Sequence, residues 1–485
     1  MLEIRLSGEG TLQEQVVRAI RTSILQGHVE SEVRLPSTRA LAKALGVSRI
    51  TTLVAYEQLV AEGLLYTQSG RGTFVAPLEL GPRELLGSKI KPTLLRPVSR
   101  LGQRAKKIRL KGRRASFKSS NREVIDLRQS KTLTDERTDR EWRRTLKRCV
   151  SEQDRHYPNP AGDTNLRASI CNLMKRWHGV TCSPDQVLIT SGAQQGIALL
   201  SQALLDRGDR ITLENPGYAS ARYLFNLQGM DIDYLAVDSA GAVVNQLSRT
   251  KPPKLIYLTP AHQFPLGAVL SYQRRIELLE FAHKHRCWIL EDDYDGQYRY
   301  LGSPVPSLKL LDQHESVVHI GTFSKTFDPS LRIGFVILPS ALIETMRLVK
   351  GLQDQGSPSL MQTALCAFIE SGGYERHIVR ARKTLEARRE ALLHQLDVYF
   401  NGSVKVHGTE TGSYFLVEFR VSNKHTASVM NQLEANGVLV QSAAPYFKHA
   451  PKRLMLMVGY GGLRGEHIEP AVRAIARVLS GLGTR

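Results

Sequence analysis

The chain has 485 residues, 42% of them hydrophobic, and a formal net charge of +20. This length exceeds what one ordinary hydrophobic core organises, so two or more domains are expected. No run of about 18 apolar residues occurs and no signal peptide precedes Leu2, which argues against a membrane span and against secretion. The five cysteines are scattered, without CxxC or His spacing typical of metal sites, which predicts reduced thiols, a cytoplasmic protein and no metal.

The first 76 residues predict three helices. A capping box at Thr11-Leu12-Gln13-Glu14 opens the first helix, and Gly27 closes it. The second helix is expected from Pro36-Ser37 to Leu45. After a tight turn, Ser48 is expected to cap a third helix that runs from about Arg49 to Glu62.

The third helix is followed by a predicted wing. Alternating residues at Leu64-Leu65-Tyr66 and Thr73-Phe74-Val75 flank Ser69-Gly70-Arg71-Gly72, which indicates two short strands around a tight loop. The residues of the third helix that we expect to face the core are Leu53, Tyr56 and Val60.

The motifs of this region resemble the winged helix-turn-helix of GntR-family regulators, which implies binding to a double-stranded DNA operator. In such motifs the start of the second helix enters the major groove, where Arg49, Thr51 and Thr52 would lie. Arg39 would meet backbone phosphates, and Arg71 would enter the minor groove from the tip of the wing. The motifs that carry the resemblance are Leu35-Pro36-Ser37-Thr38-Arg39-Ala40-Leu41-Ala42, Leu45-Gly46-Val47-Ser48-Arg49, Ala55-Tyr56, Glu62-Gly63 and Gly70-Arg71-Gly72-Thr73-Phe74-Val75.

Residues 77–122 are predicted to be a basic linker between domains, with a short helix near Arg100–Lys111. From Arg83 to Arg122 there are fourteen Lys or Arg and one acid, so this stretch carries +13 of the net charge of +20. A solvated linker explains this pattern, but its position after a DNA-binding fold favours a linker that also contacts phosphates.

From residue 123 to residue 485, apolar runs alternate with helical patterns. This predicts an α/β domain with a mostly parallel sheet and helices on both faces, followed after about residue 372 by a smaller α/β subdomain. The predicted strands include Val187–Thr190, Arg210–Leu213, Leu255–Leu258, Trp288–Leu290, Val317–Ile320, Ser413–Phe419 and Leu454–Val458.

Lys325 lies in Gly321-Thr322-Phe323-Ser324-Lys325-Thr326-Phe327, seven residues before Arg332. A lysine amine can form an imine with an aldehyde cofactor, and an arginine one loop later can hold the phosphate of that cofactor. The hydroxyls of Thr322 and Ser324 are expected to bind the same phosphate.

Two further segments fit such a site. Gly192, Ala193 and Gln194 open a helix directly after a strand, and free N–H groups at a helix start suit a phosphate. Asp292 ends another strand, in Glu291-Asp292-Asp293-Tyr294-Asp295. Four acids in five residues are also compatible with a metal site or a polar loop, but Lys325 beyond the next strand favours a cofactor site.

Taken in order, these segments resemble the fold-type I enzymes that depend on pyridoxal 5'-phosphate, the aspartate aminotransferase superfamily. The resemblance implies pyridoxal phosphate as cofactor, with Lys325 as the residue that forms the internal imine. It places Asp292 at the pyridine nitrogen, Tyr294 at the phenolic oxygen and Tyr218 over the ring. It also implies that Tyr157 reaches the phosphate of a partner subunit, and hence a dimer.

The order of winged helix, basic linker and aminotransferase-like domain resembles the MocR/GabR subfamily of bacterial regulators. The resemblance implies a head-to-tail homodimer, on the nucleoid, that senses a small molecule through its cofactor domain. The effector is expected to be an amine or amino acid, or pyridoxal phosphate itself. The alternative is a working aminotransferase with a fused DNA-binding domain.

Three positions depart from the pattern of the enzymes and their relatives. Met457 stands where transaminases present an arginine for the substrate carboxylate, and Phe264 replaces the usual asparagine. Ser220 replaces the arginine of regulators that sense γ-aminobutyrate. These departures argue against efficient turnover of α-amino acids and against γ-aminobutyrate as effector, unless Arg222 or Arg453 substitutes.

Overall fold

A computed structural model divides the chain into two compact units, Met1–Val98 and Ser99–Arg485. Most of the predicted linker lies outside the residues that the structure describes. Within the described part of the chain, no helix is long and apolar enough to span a bilayer. The described residues are 6, 9–77, 99–108, 124–129, 131–152, 157–302 and 306–482.

The first unit has the predicted three helices and wing. Thr11 and Glu14 form the capping box, and Gly46, at φ 67°, ends the second helix in the left-handed conformation that glycine tolerates. The Ser48 hydroxyl accepts the Thr51 N–H at 3.0 Å and so caps the third helix. The elements are α1 (Leu12–Leu25), α2 (Thr38–Leu45), α3 (Arg49–Ala61), β1 (Leu65–Gln68) and β2 (Gly72–Val75), the two strands being antiparallel.

The inward face of α3 differs from the prediction. Leu53 and Val60 were expected in the core, but they are 45% and 38% exposed. The Tyr56 hydroxyl, as expected on the inner side, donates to the carbonyl of Pro36 at 2.8 Å. This bond and the packing against α1 and α2 set the rotation of the helix. The buried residues of α3 are Thr52, Ala55, Tyr56 and Leu59.

The second unit is larger and contains two sheets with their helices, together with a short parallel pair of strands. Its elements are α4 (Arg100–Lys107), β3 (Ile125–Asp126), α5 (Glu136–Ser151), α6 (Thr164–His178), β4 (Val187–Thr190), α7 (Ala193–Leu204), β5 (Arg210–Asn215), α8 (Ala219–Gln228), β6 (Asp231–Asp238), β7 (Gly241–Ala242), β8 (Leu255–Leu258), α9 (Tyr272–His285), β9 (Trp288–Asp293), α10 (Leu308–Leu311), β10 (Val317–Thr322), β11 (Gly334–Ile337), α11 (Ile343–Asp354), α12 (Ser359–Glu370), α13 (Gly373–Phe400), β12 (Lys405–His407), β13 (Tyr414–Ser422), α14 (Thr426–Ala435), β14 (Val438–Leu439), β15 (Gln441–Ser442), β16 (Arg453–Gly459) and α15 (Ile468–Ser480).

The main sheet has eight strands in the order β4-β11-β10-β9-β8-β5-β6-β7. The run from β10 to β6 is parallel, whereas β11 is antiparallel to both of its neighbours. Strands such as β8 are buried along their whole length, as expected for a parallel sheet covered on both faces. The carboxyl ends of β4, β5, β8, β9 and β10 therefore meet at one edge of the sheet, where ligands of open α/β sheets bind.

The C-terminal subdomain is also confirmed. It contains the antiparallel sheet β12-β13-β16-β15, against which α13, α14 and α15 supply the helical layer. The helix predicted near Arg100–Lys111 is found as α4, which belongs to the second unit. Its Arg104 side chain donates to the carbonyl of Gln228 at the end of α8.

Candidate cofactor site and DNA-reading surface

Asp292 lies at the carboxyl end of β9, in register with Ile320 on β10, and is 5% exposed. Its Oδ2 accepts a hydrogen bond from the Tyr257 hydroxyl at 2.6 Å, whereas its buried Oδ1 has no hydrogen-bond partner. Burial raises the pKa of this carboxyl to about 6. A buried carboxylate oxygen without a donor is costly, and a protonated pyridine nitrogen would satisfy it.

Lys325 follows β10 on a loop that is anchored by two buried rings, Phe323 and Phe327, each 2% exposed. Its Nζ donates to the carbonyl of Gln129 at 3.3 Å. The positive charge of Lys325 also reaches the buried Asp295 carboxyl, where it opposes the rise in pKa that burial causes. The loop thus holds the lysine amine on the same edge of the sheet as the acids that follow β9.

Groups that can bind a phosphate lie near the point where β4 passes into α7. Gly192 precedes α7 at φ 84° and leaves the N-terminus without a side-chain cap. Arg332, also left-handed at φ 54°, donates from Nη2 to the carbonyl of Ser191 at 3.0 Å. The φ of Gly192 favours glycine, and a Cβ there would lie 2.9 Å from this nitrogen, so the arginine would have to shift. Ser324 adds a buried hydroxyl without a partner, which fits a phosphate oxygen.

The other residues predicted at the phosphate are partly engaged within the chain. The Thr322 hydroxyl accepts the Ser324 N–H at 3.1 Å and so shapes the loop. Ala193 is the first residue of α7. Gln194 donates to the carbonyl of Ser220 at 3.3 Å, and its buried Oε1 lacks a partner.

The three predicted tyrosines lie in different surroundings. Tyr218 is at the start of α8, edge-on to Phe264 with ring centroids 5.8 Å apart. The Tyr294 hydroxyl donates to the carbonyl of His262 at 2.9 Å and lies 3.0 Å from the Tyr414 hydroxyl. Tyr157 is 91% exposed. Its predicted role at the phosphate of a partner subunit stays a prediction.

An aromatic and apolar cluster lies beside the cofactor residues. Phe264 is 6% exposed and packs edge-on against Tyr446 at 4.7 Å. Tyr414 and Met457 are fully buried in the same cluster. Bulky side chains therefore occupy the positions where the sequence departs from the transaminase pattern.

Both arginines considered as substitutes for the substrate anchor already have partners within the chain. Arg222 donates to the carbonyls of Pro445, at 2.5 Å, and Tyr446, at 3.5 Å. Arg453 pairs with Glu418 at 3.1 Å, with more than half of its own side chain exposed. The backbone and a surface carboxylate thus account for both side chains.

The acidic side chains at the end of β9 and directly after it have different partners. Asp295 pairs with His262 at 2.9 Å, and Asp293 lies 3.6 Å from His178. Among the residues that the structure describes, no group of three His, Cys, Asp or Glu is arranged to hold a metal ion. Sequence reasoning missed Tyr257, whose only signal is a phenol within the apolar run Leu255–Leu258.

In the first unit, Arg39, Arg49 and Arg71 are exposed, as their predicted role requires. Thr51 is half-buried, and its hydroxyl lies 2.8 Å from that of Ser48. The prediction for Thr52 is wrong: it is fully buried, and its hydroxyl donates to the carbonyl of Thr38 at 2.9 Å. This side chain joins α3 to α2 and cannot reach DNA.

Arg34 was missed. It lies beside the wing, paired with Phe74 in an isolated bridge, and its side chain leaves room for only a hydrogen at Gly72. It brings a second guanidinium close to the wing.

The two units define a DNA-binding domain joined to an aminotransferase-like body. Residues 12–75 match the family of bacterial regulatory proteins named for GntR, and residues 122–475 match the aminotransferase class I and II family. Over 481 residues the chain is 30% identical to the probable rhizopine catabolism regulatory protein MocR of Rhizobium meliloti, covering 98% of this chain and 95% of that protein.

Two further comparisons agree with this assignment. The pyridoxine biosynthesis transcriptional regulator PdxR of Corynebacterium glutamicum is 29% identical over 78% of this chain and 77% of its own. The crystal structure of the Pyrococcus horikoshii kynurenine aminotransferase superposes with a TM-score of 0.68 at 24% identity, covering 83% of this chain and 98% of that one, which shows the shared fold. The chain belongs to the MocR/GabR subfamily of GntR-type transcriptional regulators, and its cofactor is pyridoxal phosphate.

Proposed function

We propose that this regulator senses pyridoxal phosphate itself, through a covalent bond to Lys325, and that occupancy of this site sets its affinity for the operator. The observation that carries the proposal is the buried Oδ1 of Asp292, which has no hydrogen-bond partner. The site is built for the cofactor, while the space next to it is filled by Phe264, Tyr446 and Met457. If the cofactor itself is the effector, the protein needs no additional pocket for a substrate.

Several side chains and one helix N-terminus would hold the cofactor. Asp292 would accept a hydrogen bond from the protonated ring nitrogen, and Tyr218 lies at the edge of the same space. Arg332, the Ser324 hydroxyl and the N-terminus of α7 bind the phosphate. When bound, the cofactor supplies an aldehyde carbon that reacts with amines and a ring that withdraws electrons. Tyr294 is the proposed donor to the phenolic oxygen, a role for which its bond to the His262 carbonyl would have to open.

A second candidate effector is a small amine or amino acid that reacts at Lys325. The buried Oε1 of Gln194, which has no partner, favours it, because this oxygen can accept a hydrogen bond from a ligand. A working aminotransferase is a weaker proposal. Met457 provides no charge for a substrate carboxylate, and Arg222 is held by backbone carbonyls.

We also propose that the protein acts as a head-to-tail homodimer in the cytoplasm, bound to the nucleoid. Tyr157 and Leu352 line one surface recess and are 91% and 90% exposed. Leu348, one turn earlier on α11, is 60% exposed. Large side chains this exposed favour a protein partner, and a second copy would bring Tyr157 to a cofactor site. Light scattering should report a dimer, and Tyr157→Ala should weaken cofactor binding without a change in the fold.

On the DNA side, Arg39, Arg49, Thr51 and Arg71 are the proposed contacts. The cofactor can change operator affinity only by binding two arrangements of the protein with different affinities. Coupling of about 1–3 kcal/mol is typical, which corresponds to a change of about 5- to 150-fold.

The test measures operator affinity for full-length protein with and without pyridoxal phosphate, in the absence of any amine. The DNA is a duplex selected from a random pool by the cofactor-loaded protein. We expect a difference of at least about fivefold, which Lys325→Ala abolishes together with the visible absorption of the bound cofactor. Lys254→Ala, at a partly exposed surface lysine, serves as the matched control. Equal affinities for the two forms of the wild-type protein contradict the proposal.

If the cofactor alone has no effect, a panel of amines added to the loaded protein decides between the two effector candidates. A change in operator affinity with one amine supports the second candidate. Steady-state turnover of amino and keto acids would instead identify a working aminotransferase.

A further inference from the structure

A cavity of about 370 Å³ lies in the second unit, apart from the cofactor residues. Its walls come from the end of α6, the loop after β9 and the first turns of α13. Its volume is within the range of small-molecule sites. Asp293 lines it, whereas the preceding Asp292 bonds to Tyr257, because successive side chains of a strand point to opposite faces.

Four polar side chains that line this cavity keep a buried atom without a hydrogen-bond partner. Two of these atoms are donors, Nη1 of Arg275 and Nε of Arg299. The other two are acceptors, Oε1 of Gln297 and Oε2 of Glu375. Buried polar groups are nearly always paired in folded proteins, so four such atoms around one cavity indicate a missing ligand.

Arg275 gives the strongest evidence. The residue is fully buried, and it is held by the carbonyls of Leu270 at 2.9 Å and Pro260 at 2.7 Å. Its Nη1 is 3.9 Å from Glu291, beyond hydrogen-bond distance. Arg275 thus keeps an unused donor in the wall of the cavity. Carboxylates are its preferred planar partners.

The two acceptors without a partner require a hydrogen-bond donor on the ligand. Glu375 uses its Oε1 for Arg176 at 2.6 Å, which leaves Oε2 for a ligand. Gln297 offers an amide oxygen. Together they fit an ammonium, which donates and carries a positive charge. Trp177, Ile378 and Val379 supply an apolar wall to the same cavity.

We propose that this cavity is a second ligand site that takes a small zwitterionic amino acid. The carboxylate of the ligand meets Arg275 and Arg299, its ammonium meets Glu375 and Gln297, and an apolar side chain lies against the wall. The site goes beyond the proposed sensing of the cofactor and requires no reaction at Lys325.

The test uses isothermal titration calorimetry on the full-length, cofactor-loaded protein. The probe is N,N-dimethyl-L-leucine, a zwitterion that retains one N–H and whose tertiary amine cannot form an imine with the cofactor. The comparison probe is 4-methylpentanoate, which has the same carbon skeleton and a carboxylate but no amine. We expect the zwitterion to bind at one site per chain and the acid to bind at least about tenfold more weakly.

Variants assign the two ends of the probe. Arg299→Gln should weaken both probes by about tenfold or more, whereas Glu375→Gln should weaken only the zwitterion. On α13, Arg382 lines the cavity and its neighbour Lys383 does not, so Arg382→Gln should weaken binding more than the matched Lys383→Gln. Circular dichroism and the cofactor absorption of each variant check its fold.

A further variant covers the case in which Arg299→Gln does not fold. Val379 is 63% exposed and lines the cavity, so Val379→Trp should fill the cavity without disturbing the core and abolish binding. The proposal is overturned if the zwitterion shows no saturable heat in the millimolar range. It is equally overturned if Val379→Trp leaves binding intact, or if Lys383→Gln weakens binding as much as Arg382→Gln. If the protein lacks the absorption band of the cofactor but still binds the probe, the proposal for Lys325 fails and the proposal for this cavity stands.

Discussion

Replacing Asp292 by asparagine should stabilise the cofactor-free protein and weaken its hold on the cofactor. The carboxyl is 5% exposed, and burial raises its pKa from 3.8 to about 6. At neutral pH the folded protein therefore carries a buried charge that the unfolded chain holds in water at lower cost. Asparagine removes that charge and can still accept the hydrogen bond of Tyr257.

The magnitude follows from the shift in pKa. This rise of about two pKa units means that the buried charge destabilises the folded state by about 3 kcal/mol at pH 7.5. The amide nitrogen at the position of Oδ1 has two N–H donors without a partner, which costs about 1–2 kcal/mol. The cofactor-free Asp292→Asn variant should thus be about 1–2 kcal/mol more stable than the wild type.

The pH dependence has a definite sign. The unfolded carboxyl loses its proton near pH 4 and the folded one near pH 6, so between these values the folded state binds more protons. The contribution of this carboxyl to the free energy of unfolding of the wild type is most favourable at low pH, and it falls as the pH rises through that window. The advantage of Asp292→Asn should therefore shrink by about 1.4 kcal/mol between pH 7.5 and pH 5.

Urea unfolding followed by tryptophan fluorescence measures these differences. The three tryptophans, Trp142, Trp177 and Trp288, all lie in the second unit, so the signal reports the unit that contains Asp292. With pyridoxal phosphate present, the wild type should become the more stable of the two proteins. The variant loses a charge-assisted hydrogen bond to the ring nitrogen and should bind the cofactor about 10- to 150-fold more weakly. Asp293→Asn, next in the chain but on the other face, should leave cofactor affinity unchanged. A variant that is less stable than the wild type at both pH values, or that binds the cofactor as tightly, refutes the assignment of Asp292.

Three further predictions concern single contacts. Arg49→Ala should weaken operator binding by about tenfold or more at unchanged thermal stability, and an unaltered gel-shift titration would reject its place in the major groove. Thr52→Val should destabilise the first unit by about 1–2 kcal/mol, since it removes the hydrogen bonds of the buried hydroxyl to the carbonyls of Thr38 and Arg49, and its operator affinity well below the melting temperature should stay at the wild-type value. Tyr257→Phe removes the hydrogen bond that lowers the pKa of Asp292, so the pH midpoint of cofactor binding should move upward; a midpoint that stays or falls contradicts this.

The parts of the structure that local chemistry determines could be predicted from the sequence. Ser48 caps a helix and Gly46 ends one because each needs only its immediate neighbours, and both predictions are confirmed. The strand that ends at Asp292 was found in the same way, from an apolar run followed by acids.

Other features depend on distant parts of the chain. Thr52 was assigned to DNA because it lies at the start of the recognition helix, but the carbonyl of Thr38 fourteen residues earlier draws its hydroxyl inward. The second cavity joins Arg176 to Glu375, which are 199 residues apart, and no local pattern marks either one. Rotation of a helix and closure of a cavity are tertiary events, so the sequence pattern leaves them open.

The loop that follows β9 connects the two sites physically. Asp295 holds His262 beside the cofactor residues, and four residues later Arg299 lines the second cavity and bridges to Thr411. The β9 strand itself is paired with a strand on each side, whereas the loop is held by a short backbone bridge to residues 410–412 and by side-chain bonds. A ligand that pulls Gln297 or Arg299 therefore acts on the loop before it acts on the strand. The loop contacts the cofactor side through the buried hydrogen bond between Asp295 and His262, and coupling through this bond would change the affinity for both ligands by the same factor.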